Sequence, residues 1–236
     1  MGDDGDKALG DVRVMLDMAE PKHHVRVTIA GLAVDVVCAK EGGPGALQSG
    51  MWIWPAAKAL CEYLAATKLI EEHAEWTSIV ELGAGAGLAG LFVAHKLSVL
   101  HRAASVTLTD RDFTSLSIMQ RAIALNAERL DPCVKVSTRR LVFISGAPTA
   151  AQARNPFSAS LIIGTDLIYS HEVAESLIQT LVLRFPGSSW VFILCSSFRH
   201  EETTAVLVAE CDKQRVRRRV LAAAYRDCLI EMFDQA

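Results

Sequence analysis

The sequence predicts a doubly wound α/β fold, a Rossmann-like sheet of seven strands that is mostly parallel with an antiparallel C-terminal edge. Three observations carry this expectation. Short apolar β-type runs alternate with stretches of helical apolar spacing from about residue 78 onward. A glycine-rich turn, Val80-Glu81-Leu82-Gly83-Ala84-Gly85-Ala86-Gly87-Leu88, lies between the first of those strands and the helix that follows. The last two β-type runs, Arg215 to Leu221 and Cys228 to Phe233, lack a helix-length separation, which suits an antiparallel pair.

The elements follow in order. With 236 residues, 51% of them hydrophobic, the chain can bury one substantial core and reads as one domain over 23–236. Residues 1–22 read as a mobile acidic leader. Val25 to Ala30 and Leu32 to Cys38 flank Gly31 and predict an N-terminal β-hairpin over about 25–40. Gly42, Gly43, Pro44 and Gly45 make Glu41 to Gly50 a loop. Pro55 suits a first helical turn, and Ala56, Ala57, Leu60, Cys61 and Leu64 continue at helical spacing. The alternation then runs through strand Ser78 to Leu82, a helix to about His95, strand Ser105 to Thr109 and a helix from about Phe113 to Leu130. After Val134 to Val136 comes a less regular stretch containing Pro148 and Pro156. Strand Leu161 to Thr165, a helix near Val173 to Leu183, strand Trp190 to Cys195 and a helix near Glu201 to Cys211 lead into the tail.

Composition narrows the function classes. The net charge is −3, and the one basic cluster, Arg215, Arg217, Arg218 and Arg219, has the partial alternation of a strand's solvent face, so no nucleic-acid partner is expected. The six cysteines are widely spaced with no C-x-x-C pair, and the histidines lack ligand spacing, so neither a disulfide framework nor a metal site is indicated. No run approaches the roughly 18 apolar residues of a membrane span, and the leader lacks a signal peptide's apolar stretch. A reducing compartment is expected, cytoplasm or also nucleus. His23 and His24 would point apart on a strand, and His171 suits a helix start.

The glycine turn predicts a nucleotide-type cradle, since glycines let backbone approach a ligand that side chains would hold away. Gly85-x-Gly87-x-x-Gly90 matches the dinucleotide fingerprint, but that register starts several residues past the strand end. Glu81-x-Gly83-x-Gly85-x-Gly87 starts directly at it, and an acid there suits the cationic amino-acid end of S-adenosylmethionine, whereas it would repel a pyrophosphate. Asp110 ends the next strand, where a carboxylate can accept both ribose hydroxyls; a helix cap is the plainer alternative, for which Asp112 is better placed.

Trp54-Pro55-Ala56-Ala57, the glycine turn, Asp110, Asn126 and Asp166-Leu167-Ile168-Tyr169, in that order, resemble the seven-strand protein lysine methyltransferases of methyltransferase family 16, relatives of the methyltransferase-like 21 group. The resemblance covers about Gly50 to Cys195. It implies that Trp54 lines the donor site and that Glu81 to Gly87, with Gly83, Ala84 and Gly85, form its floor. It also assigns the ribose to Asp110. The family often carries a tryptophan after the third strand, near the adenine; Arg140-Leu141-Val142-Phe143 here offers Leu141 and Phe143 instead. Trp52 is expected to face away from Trp54, and Asn126 to bond a neighbouring loop.

Asp166 and Tyr169 follow an apolar strand and so belong at its carboxyl end. In the resembled family this D-x-x-Y motif lines the channel for the target lysine. An anion beside an amine favours the ammonium form, so Asp166 is read as capturing and orienting the amine, with Tyr169 adding a hydrogen bond and an aromatic wall. The implied activity is methylation of a lysine in a non-histone protein, such as a chaperone or translation factor, by a monomer using S-adenosylmethionine and releasing S-adenosylhomocysteine without a metal. Other acceptors, a protein histidine or arginine or a small molecule, are the alternative within the class. A nicotinamide oxidoreductase or a non-catalytic nucleotide-binding module is the alternative outside it, although no Tyr-x-x-x-Lys follows Tyr63, Tyr169 or Tyr225. Arg199 is open between substrate contact and solvation.

Overall fold

The structure, a computed structural model, describes residues 22–39, 49–146, 156–186, 189–197 and 201–235. Residues 1–21 of the acidic leader, most of the glycine-rich loop, Pro148 and Arg199 lie outside the described residues, while Lys22, the last residue assigned to the leader, begins the first strand. Strands β1 (Lys22–Ile29) and β2 (Leu32–Ala39) form a separate antiparallel hairpin. Helices α1 (Pro55–Thr67) and the one-turn α2 (Leu69–Glu72) lead into β3 (Ser78–Leu82), α3 (Leu88–Val99), β4 (Ala104–Asp110), α4 (Phe113–Asn126) and β5 (Val134–Arg140). The chain continues with β6 (Leu161–Thr165), α5 (His171–Arg184), β7 (Val191–Ser196), α6 (Glu201–Gln214), β8 (Val216–Tyr225) and β9 (Cys228–Gln235).

The main sheet has the order β5-β4-β3-β6-β7-β9-β8. The first five are parallel; β9 runs antiparallel to both β7 and β8, so β8 points the same way as the parallel strands. The antiparallel member is therefore one strand in from the edge. The chain steps outward from β3 through β4 to β5 and then returns to the other side of β3, which puts the topological switch between β3 and β6.

Alternation along the strands supplies both faces of the sheet. Ile79, Val106, Ile163 and Ile193 face a core shared with α1, α3, α4 and the hairpin. Val80, Leu82, Ile162 and Phe192 face a second core with α5 and α6. Helix α3 is buried on nearly every side, which explains its lack of a polar stripe. Several elements differ in length from the sequence expectation: α3 runs to Val99, α6 to Gln214 and β8 to Tyr225. Strand β5 runs on through Ser137, Thr138, Arg139 and Arg140 because an edge strand needs ladder bonds to β4 but little apolar cover. Helix α4 stops at Asn126, and a single 3-10 turn carries the chain on to Arg129.

The hairpin turns through Ala30 and Gly31, both with positive φ, the two-residue turn whose twist matches its strands. Its strand β2 packs against α3 and α4. Asn126 is the weld, and its partner is a strand rather than a loop. Its Oδ1 accepts from Asp35 N–H at 3.1 Å while its Nδ2 donates to Asp35 O at 2.6 Å, so a side-chain amide pairs with the strand as another strand would. His95 Nε2 and Arg129 also donate to Oδ1, at 2.8 Å each, and Nδ2 donates to Ala122 O. An amide oxygen only accepts, so His95 carries its proton on Nε2. The buried Asp35 carboxylate accepts from Arg26 through both oxygens and meets His24 and Arg129.

Truncating Asn126→Ala strands the Asp35 backbone N–H and C=O in the core, so it should cost about 2–4 kcal/mol, read as a lower melting temperature; an unchanged one would show that the weld carries no stability. The Arg26 guanidinium, helped by His24 and Arg129, holds the Asp35 carboxyl well below its ordinary range against the opposing effect of burial. Its contribution is thus present above the ordinary value of 3.8 and fades as pH falls below it. Asp35→Asn should destabilise the protein at neutral pH and flatten the acid loss, and melting curves across the acid range check both.

Candidate functional site

A cleft of about 720 Å³ opens at the carboxyl ends of β3, β4 and β6, over the topological switch. Its floor is the bend after β3, where Gly83, Ala84, Gly85 and Ala86 lie before α3. Gly85 has φ 54°, and a side chain there would collide with the Gly50 carbonyl oxygen. Gly83 has φ 55°, and a Cβ would stand 2.5 Å from Leu167 Cδ2. The bend is therefore pressed between the Gly50 segment on one side and the turn after β6 on the other, which leaves room for backbone alone.

Two buried carboxyls brace the bend. Asp110, at the end of β4, accepts from Gly85 N–H through Oδ2 at 3.1 Å and from Asp112 N–H through Oδ1 at 2.9 Å. Ala84 N–H donates to Thr109 O at 2.8 Å, so β4 holds the bend twice. Burial pushes the Asp110 carboxyl up, and the N–H groups pointing at it pull the other way. Asp110 still lines the cleft.

Glu81 sits differently from the sequence expectation. It is 1% exposed and does not line the cleft; Oε2 accepts from Gly90 N–H at 2.9 Å, beneath the first turn of α3. Burial pushes its carboxyl up to about 8, with Asp110 adding and the Gly90 N–H opposing. At neutral pH it is mostly protonated, and it tethers the start of α3 to the end of β3. Gly87 likewise stands outside the cleft wall, at the N-terminal cap of α3.

The remaining walls gather most of the predicted residues. Trp54, the residue before α1, lines one side. Trp52 does too, with ring centroids 5.9 Å apart and planes 41° to each other, contrary to the expectation that it faces away; residues two apart along an extended segment share a side. Leu141 and Phe143 line the opposite side with Val142. Leu141 N–H donates to Asp110 O at 3.0 Å, and Ile144 N–H to Thr180 Oγ1 at 2.7 Å, pinning this segment between β4 and α5. Asp112 caps α4 by accepting from Thr114 N–H at 2.8 Å, and Ser170 caps α5, whose first residue is His171.

Asp166 and Tyr169 line the same cleft as the glycine bend. Asp166 adopts φ 50°, and its N–H donates to Cys195 O at 2.9 Å. Its Oδ1 accepts from both N–H and Oγ of Ser197, at 2.6 and 2.7 Å, whereas Oδ2 is shielded from solvent and has no hydrogen-bond partner among the described residues. Tyr169 is 63% exposed at the mouth. Ser197 and Glu172, a cleft residue at the start of α5, were not singled out as contributors from the sequence. The available signal for Ser197 was its place after a strand parallel to the one that ends before Asp166. Among the described residues, no three His, Cys, Asp or Glu groups converge as a metal site, and no helix is long and apolar enough to cross a membrane.

Solved methyltransferases share this architecture. A T. thermophilus 16S rRNA methyltransferase in complex with AdoMet and guanosine aligns with TM-score 0.59 at 17% identity, over 91% of this chain and 51% of that one. A SAM-dependent methyltransferase from Aquifex aeolicus aligns with TM-score 0.51 at 13% identity, over 77% and 93%. At such identities the likeness speaks for the fold alone. Among curated proteins, protein N-lysine methyltransferase METTL21A of Xenopus tropicalis is 33% identical over 150 residues, 63% of this chain and 61% of the relative. EEF1A lysine methyltransferase 3 of the same organism is 30% identical over 152 residues, 64% and 59%. The chain spans about three fifths of the length of these relatives. Residues 39–209 match the family model described as lysine methyltransferase, methyltransferase family 16. With well over half of its length matched, the chain belongs to the lysine methyltransferase family.

Proposed function

We propose that the protein transfers a methyl group from S-adenosylmethionine to the side-chain amine of a lysine in a protein substrate. The observation that carries the acceptor reading is Asp166, a carboxylate residue that lines the same cleft as the glycine bend and whose Oδ2, shielded from solvent, has no hydrogen-bond partner among the described residues. The bend fits a ligand held close to backbone, because Gly83, Ala84, Gly85 and Ala86 line the cleft with no side chain larger than a methyl group. Trp54, Gly83, Ala84, Gly85, Asp110, Leu141 and Phe143 would hold the donor. Leu141 and Phe143 offer an apolar wall suited to adenine, and Asp110 retains lone pairs for ribose hydroxyls beyond the two it gives to backbone N–H groups. Bound there, S-adenosylmethionine supplies an activated methyl group on its sulfonium.

The protein's own share of the chemistry is placement. Asp166 draws in the amine and fixes its direction through its carboxylate. Tyr169 lines the entrance with an aromatic face and a hydroxyl. A carboxylate next to an amine favours the ammonium, so the proton leaves the lysine for solvent before reaction and Asp166 acts on orientation. Glu81 supports the bend from below and does not meet the ligand. One relative's name gives EEF1A as its acceptor, which makes that protein the first to assay alongside cell extract.

Incubation with methyl-labelled donor and extract should place label in protein bands that resolve to methyl-lysine; label in histidine, arginine or small molecules alone would overturn the acceptor assignment. In the same preparation S-adenosylhomocysteine should raise the melting temperature and NAD should not. Asp110→Ala should weaken S-adenosylhomocysteine roughly 10-fold or more by calorimetry, and full affinity would refute its part in donor binding. Asp166→Ala should keep donor affinity within about 2-fold while cutting lysine methylation by about 100-fold or more; normal turnover would remove Asp166 from the mechanism.

A further inference from the structure

We infer that Ser197 is a positioning residue for methyl transfer, acting through Asp166; this rests on the acceptor role proposed above for that carboxylate. Strands β6 and β7 are parallel neighbours with Thr165 opposite Cys195, so the residues that follow them emerge side by side at the cleft. Asp166 N–H donates to Cys195 O, which fastens the first residue after β6 to the end of β7. Ser197 then donates twice to one carboxylate oxygen, from its N–H at 2.6 Å and from its Oγ at 2.7 Å. The result is asymmetric. Oδ1 is saturated by the protein, while Oδ2 has no partner among the described residues.

Two donors converging on Oδ1 do what one cannot. A single hydrogen bond fixes the position of an oxygen but lets the carboxylate plane turn about it; a second, from another direction, removes that freedom. With the backbone of Asp166 already held at φ 50°, the carboxylate of this cleft residue is left with one orientation. The hydroxyl, moreover, is engaged with Asp166, and Ser197 does not line the cleft, so its influence on a substrate passes through the carboxylate. Alanine would keep the backbone donor and lose the hydroxyl donor, whereas threonine would keep both.

The test compares Ser197→Ala and Ser197→Thr with the parent chain, using methyl-labelled S-adenosylmethionine at saturation and whole-cell protein extract as the acceptor probe. Ser197→Ala should slow label transfer into methyl-lysine by roughly 10-fold or more, with S-adenosylhomocysteine affinity and melting temperature kept at parental values. Ser197→Thr should restore most of the rate, which a loss of packing would not explain. Parental rates from Ser197→Ala beside a dead Asp166→Ala overturn the role of Ser197 alone, as would a threonine variant as slow as the alanine one. Full activity of Asp166→Ala instead removes Asp166 from the mechanism and the role of Ser197 with it, while transfer into methyl-lysine itself stands, and absence of methyl-lysine from the parent chain overturns the function proposed above. Should the alanine variant fail to fold, Ser197→Cys, of similar shape and with a weak donor, takes its place under the same expectation.

Discussion

The bond from Gly85 N–H to the Asp110 carboxylate is the constraint on which the site depends. Strand β4 is laid down beside β3 by sheet pairing, and this bond, with the neighbouring one from Ala84 N–H to Thr109 O, turns that pairing into a fixed shape for the bend. A loop with positive φ at Gly83 and Gly85 has little local reason to hold one conformation. Bracing from β4, from the Gly50 segment and from Leu167 supplies the reason. The same residue that shapes the floor also lines the wall, so floor and wall cannot drift apart.

Glu81 completes the bracing from the other side of the bend. A buried carboxyl pushed up to about 8 is mostly neutral near neutral pH, which keeps an unpaired charge out of the core. Its hydrogen bond to Gly90 N–H satisfies one of the donors that the first turn of α3 leaves open. The acid next to the glycine turn is therefore a support for the backbone.

Across the switch point, Leu167 connects the two halves of the site. It fills the space a side chain at Gly83 would need and packs in the core beside α5. The glycine bend and the turn that carries Asp166 are thus held by one body of packed side chains. The hairpin stands behind this body, joined through Asp35 and Asn126 to the helices that cover the sheet. Stability in that region comes from polar groups with every valence used, a kind of contact that tolerates replacement poorly.

The sequence by itself determined the order of strands and helices, the β-hairpin, the glycine bend and the carboxyl-end location of Asp110 and Asp166. These follow from apolar period, glycine content and chain direction, all local quantities. Element lengths were less legible: β5 continues through polar residues because sheet pairing, which leaves no apolar signal on an edge, holds it. Tertiary structure alone decided which way each side chain faces. Glu81, inside β3, turns under the first turn of α3, and only the packing of that helix on the sheet closes this face of the strand to the cleft. Ser197 meets Asp166 because strands far apart in sequence lie side by side in the sheet, and a hydrogen bond across 31 residues has no trace in local spacing.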